Sequence, residues 1–278
     1  MSAAGRKIAP MTNRPNDTAS ITAAVIDLQP RIRAERERIE NERRLSQQLV
    51  EALKEAGVFR MTMPRDWGGA ELDPISQLRI IEALSLADAS VGWCVMIGSD
   101  SGYFSGFIDQ RVARSMYPDI DMITGAALTA TGRAVGAKDG YRISGRFPFS
   151  SGCHHASWFV LGCKVYDGDQ QLFLPDGTPQ TLQCFVSAED VEILDTWNST
   201  GLRGSGSNDL SVEECFVPAE RTFSYQEFKP YRESPLYCFP LNILLNFSSV
   251  PLGTAQCALD AVIAAGERRR VSPPLAAR

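Results

Sequence analysis

The pattern of apolar residues changes twice along this chain, and that order limits the folds open to it. From residue 32 to about Pro118, good helix formers alternate with apolar residues spaced for one helical face. The next hundred residues break into short runs of β-branched and aromatic residues separated by K-D-G, D-G-D and D-G-T turns. From Pro240 the pattern is helical again. Strands gathered between helical flanks predict an α+β fold with a separate β domain, instead of an alternating βαβ sheet.

The same changes of pattern divide the chain into four segments. We expect a flexible tail over 1–27, an N-terminal α-helical domain over 28–120, a middle β domain of barrel or sandwich type over 121–232, and the first helix of a C-terminal helical bundle over 233–278. Residues 32–56 should be helical, in one or two pieces. The run of small and large apolar residues from Ala89 suits a helix buried against close neighbours.

Composition excludes several classes of function. A net charge of −5 and a pI near 5.2 give no basic surface for nucleic acid. No apolar run is expected to reach the 18 or so residues of a membrane span, and the N-terminus lacks the apolar centre of a signal peptide. The seven cysteines are scattered without a C-x-x-C pair, so we expect reduced thiols with neither a disulfide framework nor a zinc site. These features predict a soluble cytoplasmic protein.

The stretch "GRFPFSSGCHHASWFVLG", residues 145–162, holds both histidines and invites a chemical interpretation. Adjacent side chains on a strand point to opposite faces, so His154 and His155 are poorly placed to share one metal, and we expect none. A Cys153–His154 nucleophilic pair is disfavoured for the same reason. In the glycine-rich "GLRGSGSNDL", turn chemistry favours a loop or hairpin, and Arg203 has two open interpretations: a structural ion-pair anchor or a contact to an anion.

Three phrases of the sequence carry a resemblance to a known family. They are "GVFRMTMPRDWGGAELDP", the pair "GAALTATGRA" and "GRFPFSSG", and "LDTWNSTGLRGSGSNDLSVEECFVPAER". Together they resemble the acyl-CoA dehydrogenase superfamily over roughly residues 32 to 278, and within it the flavin-dependent monooxygenases that receive reduced flavin from a partner reductase. "TATGRAVG" and Pro148 depart from the usual dehydrogenase phrases, which favours the monooxygenase branch.

The resemblance implies where a flavin, FAD or FMN, would lie. Ser150 would meet the reactive edge of the ring, with Phe149 and Ser151 flanking it, and Leu128 and Thr129 would meet the pyrimidine end. A packed strand and turn without a cofactor is the alternative interpretation of these residues. The substrate-binding residues expected on the same grounds are Trp93 and Arg203.

Family members continue for about another hundred residues as a four-helix domain, of which this chain has the first helix. We therefore expect a fragment or truncated product, with the catalytic base and much of a tetramer interface in the remaining part.

Three functions stay open at this point. The first is a reduced-flavin monooxygenase that hydroxylates an aromatic or polycyclic small molecule in a dry pocket, served by a separate NAD(P)H:flavin reductase and assembled as a homo-oligomer. The second is an acyl-CoA dehydrogenase. The third is an incomplete, inactive family member that acts only as a partner in an oligomer.

Overall fold

Helices occupy both ends of the described chain. The computed structural model describes residues 14–239 and 242–271. The helices are α1 (Thr18–Glu42), α2 (Gln47–Glu55), α3 (Pro74–Ala87), α4 (Ala89–Gly98), α5 (Ser101–Ser105), α6 (Gln110–Met116) and α7 (Ser249–Val271). The apolar run that begins at Ala89 forms two helices instead of one, because the chain turns between Gly98 and Ser101.

The first helix begins earlier than the sequence pattern indicated. Asp17 caps α1 by accepting the backbone N–H of Ser20, whose hydroxyl in turn accepts the N–H of Asp17. Residues 18–27 are therefore helical, which corrects the expected tail over 1–27; residues 1–13 of that tail lie outside the described residues. Arg43 ends α1 in the left-handed region (φ 55°), so the expected helix over 32–56 is in two pieces.

The middle of the chain forms one mixed sheet. Its strands are β1 (Thr124–Ala137), β2 (Gly140–Ser150), β3 (Trp158–Asp167), β4 (Gln170–Gln171), β5 (Thr181–Ser187), β6 (Glu192–Leu194), β7 (Asn208–Pro218) and β8 (Thr222–Phe223). The hydrogen-bonded order is β6-β7-β2-β1-β3-β5-β8, with β4 beside β3; β1 and β3 are parallel and the other pairs are antiparallel. The α+β class is confirmed, and the β domain consists of this one mixed sheet.

A buried ion pair joins the helical region to the entrance of the sheet. Arg60 and Asp121 are both buried, and Arg60 Nε donates to Asp121 Oδ1 at 2.7 Å. Arg14 adds a contact of 3.3 Å to the same carboxylate. Removing either buried partner would leave an uncompensated charge, so this pair fixes the two regions relative to each other.

The last helix is only partly covered. Gly253 packs so closely on α3 that a Cβ there would lie 2.4 Å from the carbonyl oxygen of Glu82. Further along α7, Leu259, Val262 and Ile263 are 53%, 69% and 51% exposed. In the described chain, residues 243–267 form the one helical stretch long and apolar enough by length and composition to cross a membrane, which the expectation from the sequence missed. An incompletely covered bundle helix has the same composition.

Candidate functional site

The two strands singled out by the sequence lie side by side. In the antiparallel pair β1·β2, Thr131 Oγ1 donates to the carbonyl oxygen of Arg146 at 2.9 Å. Leu128 and Thr129 lie beyond the last β1·β2 pair, Arg133 with Ser144, and their backbone packs against Gly162 in β3, where a Cβ would lie 2.2 Å from the carbonyl oxygen of Leu128. Here β1 also leaves its register with β3, because the pairing shifts between residues 127 and 132. The strands that carry the two predicted segments, β1 and β2, are thus neighbours in the sheet, and a shared flavin contact of their residues stays a prediction.

The last residues of β2, where its register with β7 shifts, include an exposed aromatic ring and a buried hydroxyl. Phe149 has a φ of 60°, unusual for a bulky residue, and its side chain is 68% exposed. Its ring meets Trp197 edge-on with centroids 6.3 Å apart. Ser150, opposite Asn208 in β7, is fully buried, and its Oγ has no hydrogen-bond partner among the described residues. A buried hydroxyl without a partner is costly, so this atom indicates a place where a ligand can bond.

Ser151, the next residue, is fully engaged. Its Oγ accepts the indole N–H of Trp93 at 2.8 Å and lies 2.7 Å from the hydroxyl of Ser207. Ser207 lies 2.6 Å from the hydroxyl of Ser205. This line of hydroxyls attaches α4 to the turn and fixes the position of the Trp93 ring. The sequence interpretation missed Ser205 and Ser207, because Ser205 ends a short 3-10 turn and Gly206 is left-handed (φ 53°), so no regular spacing indicates that their hydroxyls meet.

The histidines have a defined protonation pattern. The Oδ1 of Asn208 accepts the backbone N–H groups of Thr196 and Trp197 at 3.0 and 2.9 Å, so its Nδ2 must face His154 Nε2, 3.1 Å away. Nε2 is therefore an acceptor, and Nδ1 carries the proton. Loss of solvent around the ring, with the charge of Arg44, lowers the pKa of His154. Burial lowers the pKa of His155 to about 4, so both rings are neutral at pH 7.

Comparisons with known proteins identify the family of this chain. Residues 24–108 match the family profile described as "Acyl-CoA dehydrogenase, N-terminal domain". The chain is 32% identical over 245 residues to the oxygenase subunit HsaA of a flavin-dependent monooxygenase from Rhodococcus jostii, covering 84% of this chain and 62% of that protein. It is 30% identical to indole-3-acetate monooxygenase from Acinetobacter baumannii, covering 80% of this chain and 56% of that protein.

A solved structure agrees over most of the chain. The crystal structure of the HsaA monooxygenase from M. tuberculosis matches with a TM-score of 0.82 and 30% identity, over 90% of this chain and 69% of that one. The chain belongs to the acyl-CoA dehydrogenase superfamily, in its flavin-dependent monooxygenase branch. It spans about three fifths of the length of the curated relatives named above.

The other residues that the sequence singled out, Cys153 and Arg203, make contacts within the fold. The thiol of Cys153 donates to the carbonyl oxygen of Gly206, and burial raises its pKa, so it stays protonated and is a poor nucleophile. No group of three or more metal-binding side chains occurs within the part of the chain that the structure describes. Arg203 donates to the carbonyl oxygens of Glu40 and Ser199 at 3.2 and 3.0 Å.

A carboxylate oxygen of Glu40 also lies 3.4 Å from Arg203 Nε. These contacts correspond to the ion-pair alternative, because they attach the glycine-rich loop to α1. A substrate contact for Arg203 stays an untested prediction.

Proposed function

We propose that this chain provides the flavin-binding part of the oxygenase component of a two-component monooxygenase. The component would use reduced flavin, FAD or FMN, and O2 to hydroxylate an aromatic or polycyclic small molecule. The observation that carries the proposal is the buried, unpartnered hydroxyl of Ser150, which lies in the segment expected to meet the flavin edge. The relatives' descriptions as flavin-dependent monooxygenases support it.

The residues at this place fit a flat, mostly apolar ring with polar edges. The exposed ring of Phe149 offers an apolar surface, and Ser150 offers a hydrogen bond that no described residue takes up. Leu128 and Thr129, on the neighbouring strand, would hold the other end of the ring, with Ser151 fixed beside it by Trp93. A bound reduced flavin supplies the electrons that activate O2. The role of these side chains is to orient the ring, to keep water away from it and, for Trp93, to border the substrate.

Further parts of the proposal concern partners and compartment. A separate NAD(P)H:flavin reductase would supply the reduced flavin, in line with the term "oxygenase subunit" for the HsaA relative. The uncovered apolar side of α7 supports assembly into a homo-oligomer, such as a homotetramer. All seven cysteines are free thiols, which supports a reducing compartment such as the cytoplasm.

The proposal is tested by titrating the protein with FMN and with FAD. We expect Ser150→Ala to weaken flavin binding by about 1–2 kcal/mol, the usual range for one lost hydrogen bond. The matched control is Ser144→Ala on the same strand, whose hydroxyl bonds the exposed Glu214. That variant should bind flavin as the unchanged chain does. Absence of flavin binding by the unchanged chain, or equal affinity in Ser150→Ala, would contradict the proposal.

The reaction class has its own test. Reduced flavin, oxygen and a panel of aromatic substrates should give a hydroxylated product. Acyl-CoA thioesters should leave the absorbance of oxidised flavin unchanged without oxygen. Bleaching by a thioester would instead assign the chain to the dehydrogenases.

A further inference from the structure

Strand β2 contains one residue more than its neighbour β7 near the end of the pair. Phe147 lies opposite Leu210, and Ser150 lies opposite Asn208. Three steps along β2 therefore match two steps along β7, which is the pattern of a β-bulge. The two residues of the bulge, 148 and 149, share one position of β7.

This extra residue determines which side chain is buried. Successive side chains of a regular strand point to opposite faces, so Ser150, three residues after the buried Phe147, would face away from it. In β7, Asn208 and Leu210 are both buried and lie on one face, because they are two residues apart. Since Ser150 pairs with Asn208, the bulge turns its hydroxyl to the buried face, and Phe149 is turned outward.

The bulge has a cost in backbone strain. Phe149 has a φ of 60°, in the left-handed region that a bulky residue rarely adopts. Such a conformation persists only where the surrounding structure holds it. Pro148 has no backbone N–H, so the N–H of Phe149 is the donor through which the two residues of the bulge can be held.

Asp209, the residue of β7 opposite the bulge, accepts this N–H. The backbone N–H of Phe149 donates to Asp209 Oδ1 at 3.4 Å. The other carboxylate oxygen, Oδ2, lies 2.7 Å from both Nε and Nη2 of Arg146, and the Asp209 side chain is only 14% exposed. The carboxylate is thus fixed by Arg146 on one side and turned to the bulge on the other.

We propose that Asp209 is a positioning residue for the flavin site, which holds the bulge and so keeps the Ser150 hydroxyl on its buried face. The inference rests on the proposed function, because it concerns how the same site is built. Without this acceptor Phe149 can relax to an ordinary negative φ, and a change of register by one residue moves the Ser150 hydroxyl to the other face. Asp209 therefore acts on flavin binding through Ser150.

A cycle of two single variants and their double variant tests this on the full chain, by titration with FMN. Ser150→Ala should weaken binding about tenfold, the scale of one hydrogen bond to a buried group. Asp209→Ala should weaken binding by about the same factor. The double variant should bind within about twofold of Asp209→Ala alone, because its hydroxyl is already misplaced, whereas independent effects would multiply to about a hundredfold.

Further variants assign the effect to the acceptor. Asp209→Asn keeps an oxygen for the Phe149 N–H and should restore both FMN binding and the tenfold effect of Ser150→Ala. Arg146→Met removes the ion pair but leaves the carboxylate, and Ser150→Ala should still weaken binding in that background. Asp209→Leu keeps the side-chain volume without an acceptor, and it replaces Asp209→Ala in the cycle if the alanine variant does not fold.

The matched control is Glu214→Ala, which removes another carboxylate from β7. Glu214 accepts the hydroxyl of Ser144 on the strand β2, away from the bulge. This variant should leave FMN affinity unchanged, and Ser150→Ala should keep its full effect in it.

Effects of Asp209→Ala and Ser150→Ala that multiply would overturn the inference and leave Ser150 as a flavin contact. Loss of the Ser150 effect in Arg146→Met equal to that in Asp209→Ala would also overturn it, since the ion pair and not the bond to Phe149 would then be responsible. Equal FMN affinity of Ser150→Ala and the unchanged chain would instead contradict the proposed function itself, so the two failures are distinguishable.

Discussion

Helix α4 and the part of α7 before Glu267 are both rich in apolar and small residues, but their surroundings are opposite. Both are apolar around most of their circumference, which is typical of helices buried on several sides. In α4 this is what the structure shows, since Val91, Cys94, Val95 and Met96 are all buried. In α7 the first turns pack on α3, but Val262 is 69% exposed. The comparison teaches that an apolar pattern predicts that a helix is buried, whereas the rest of the fold determines which elements cover it.

The strongest test of this contrast replaces one glycine in each helix by alanine. A Cβ at Gly92 in α4 would lie 1.9 Å from Ser85 Oγ and 2.9 Å from Ser85 Cβ, so α3 and α4 must move apart. We expect Gly92→Ala to lower the free energy of unfolding by about 2 kcal/mol. Gly266 in α7 has nothing within 4 Å of such a Cβ, and Gly266→Ala should raise stability by up to about 1 kcal/mol.

Urea unfolding of the two variants and the unchanged chain measures both values. Equal destabilisation by the two substitutions would mean that α7 is as closely packed as α4 in solution. The contrast between the two helices would then not hold.

The sequence predicted the elements of the fold better than their ends. The order of helices and strands follows from periodicity, and the segment holding Ser150 ends β2, the strand that pairs with β1, while its contact with a flavin stays a prediction. The start of α1 was missed, although Asp17 followed by Ser20 is a local capping pattern that the sequence contains. The positive φ of Phe149 could not be predicted, because turn rules assign such a conformation to glycine or asparagine and not to a bulky aromatic.

The polar contacts of the site depend on distant parts of the chain. Trp93 and Ser151 are 58 residues apart, so no local pattern indicates their hydrogen bond. The lack of a partner for the Ser150 hydroxyl likewise appears only when β2 and β7 are paired. Residue type suggested which segments matter, and only packing showed which of their polar groups are satisfied.

The next test concerns the hydrogen bond between Trp93 and Ser151, which attaches α4, unlike α7, to the sheet. Ser151→Ala removes the acceptor of the Trp93 indole N–H, and we expect it to lower the free energy of unfolding by about 1–2 kcal/mol. Ser150→Ala removes a buried hydroxyl that has no described partner, so without flavin it should leave stability unchanged or raise it by up to about 1 kcal/mol.

The two variants remove the same side-chain atom at adjacent positions, so each is a control for the other. Thermal unfolding monitored by tryptophan fluorescence gives both results. A loss of stability in Ser150→Ala similar to that in Ser151→Ala would show that the Ser150 hydroxyl already has a bonding partner in the protein alone.

The smallest expected change in stability, and the most direct test of what covers α7, comes from charging its exposed side. Leu259 and Val262 are 53% and 69% exposed, so the double variant Leu259→Glu/Val262→Glu should alter the free energy of unfolding by no more than about 0.5 kcal/mol. Its association should change far more, because an apolar patch on a soluble chain drives contact between copies.

Sedimentation should therefore show the unchanged chain associating at tens of micromolar, roughly the range in which such patches act, and the double variant shifting towards monomer. The double variant Gln47→Glu/Gln48→Glu adds the same charge to the exposed side of α2 and should leave association unchanged. A clean monomer of the unchanged chain would show that the open side of α7 is not an interface between copies. The exposed apolar side of α7 would then be a surface that stays in contact with water.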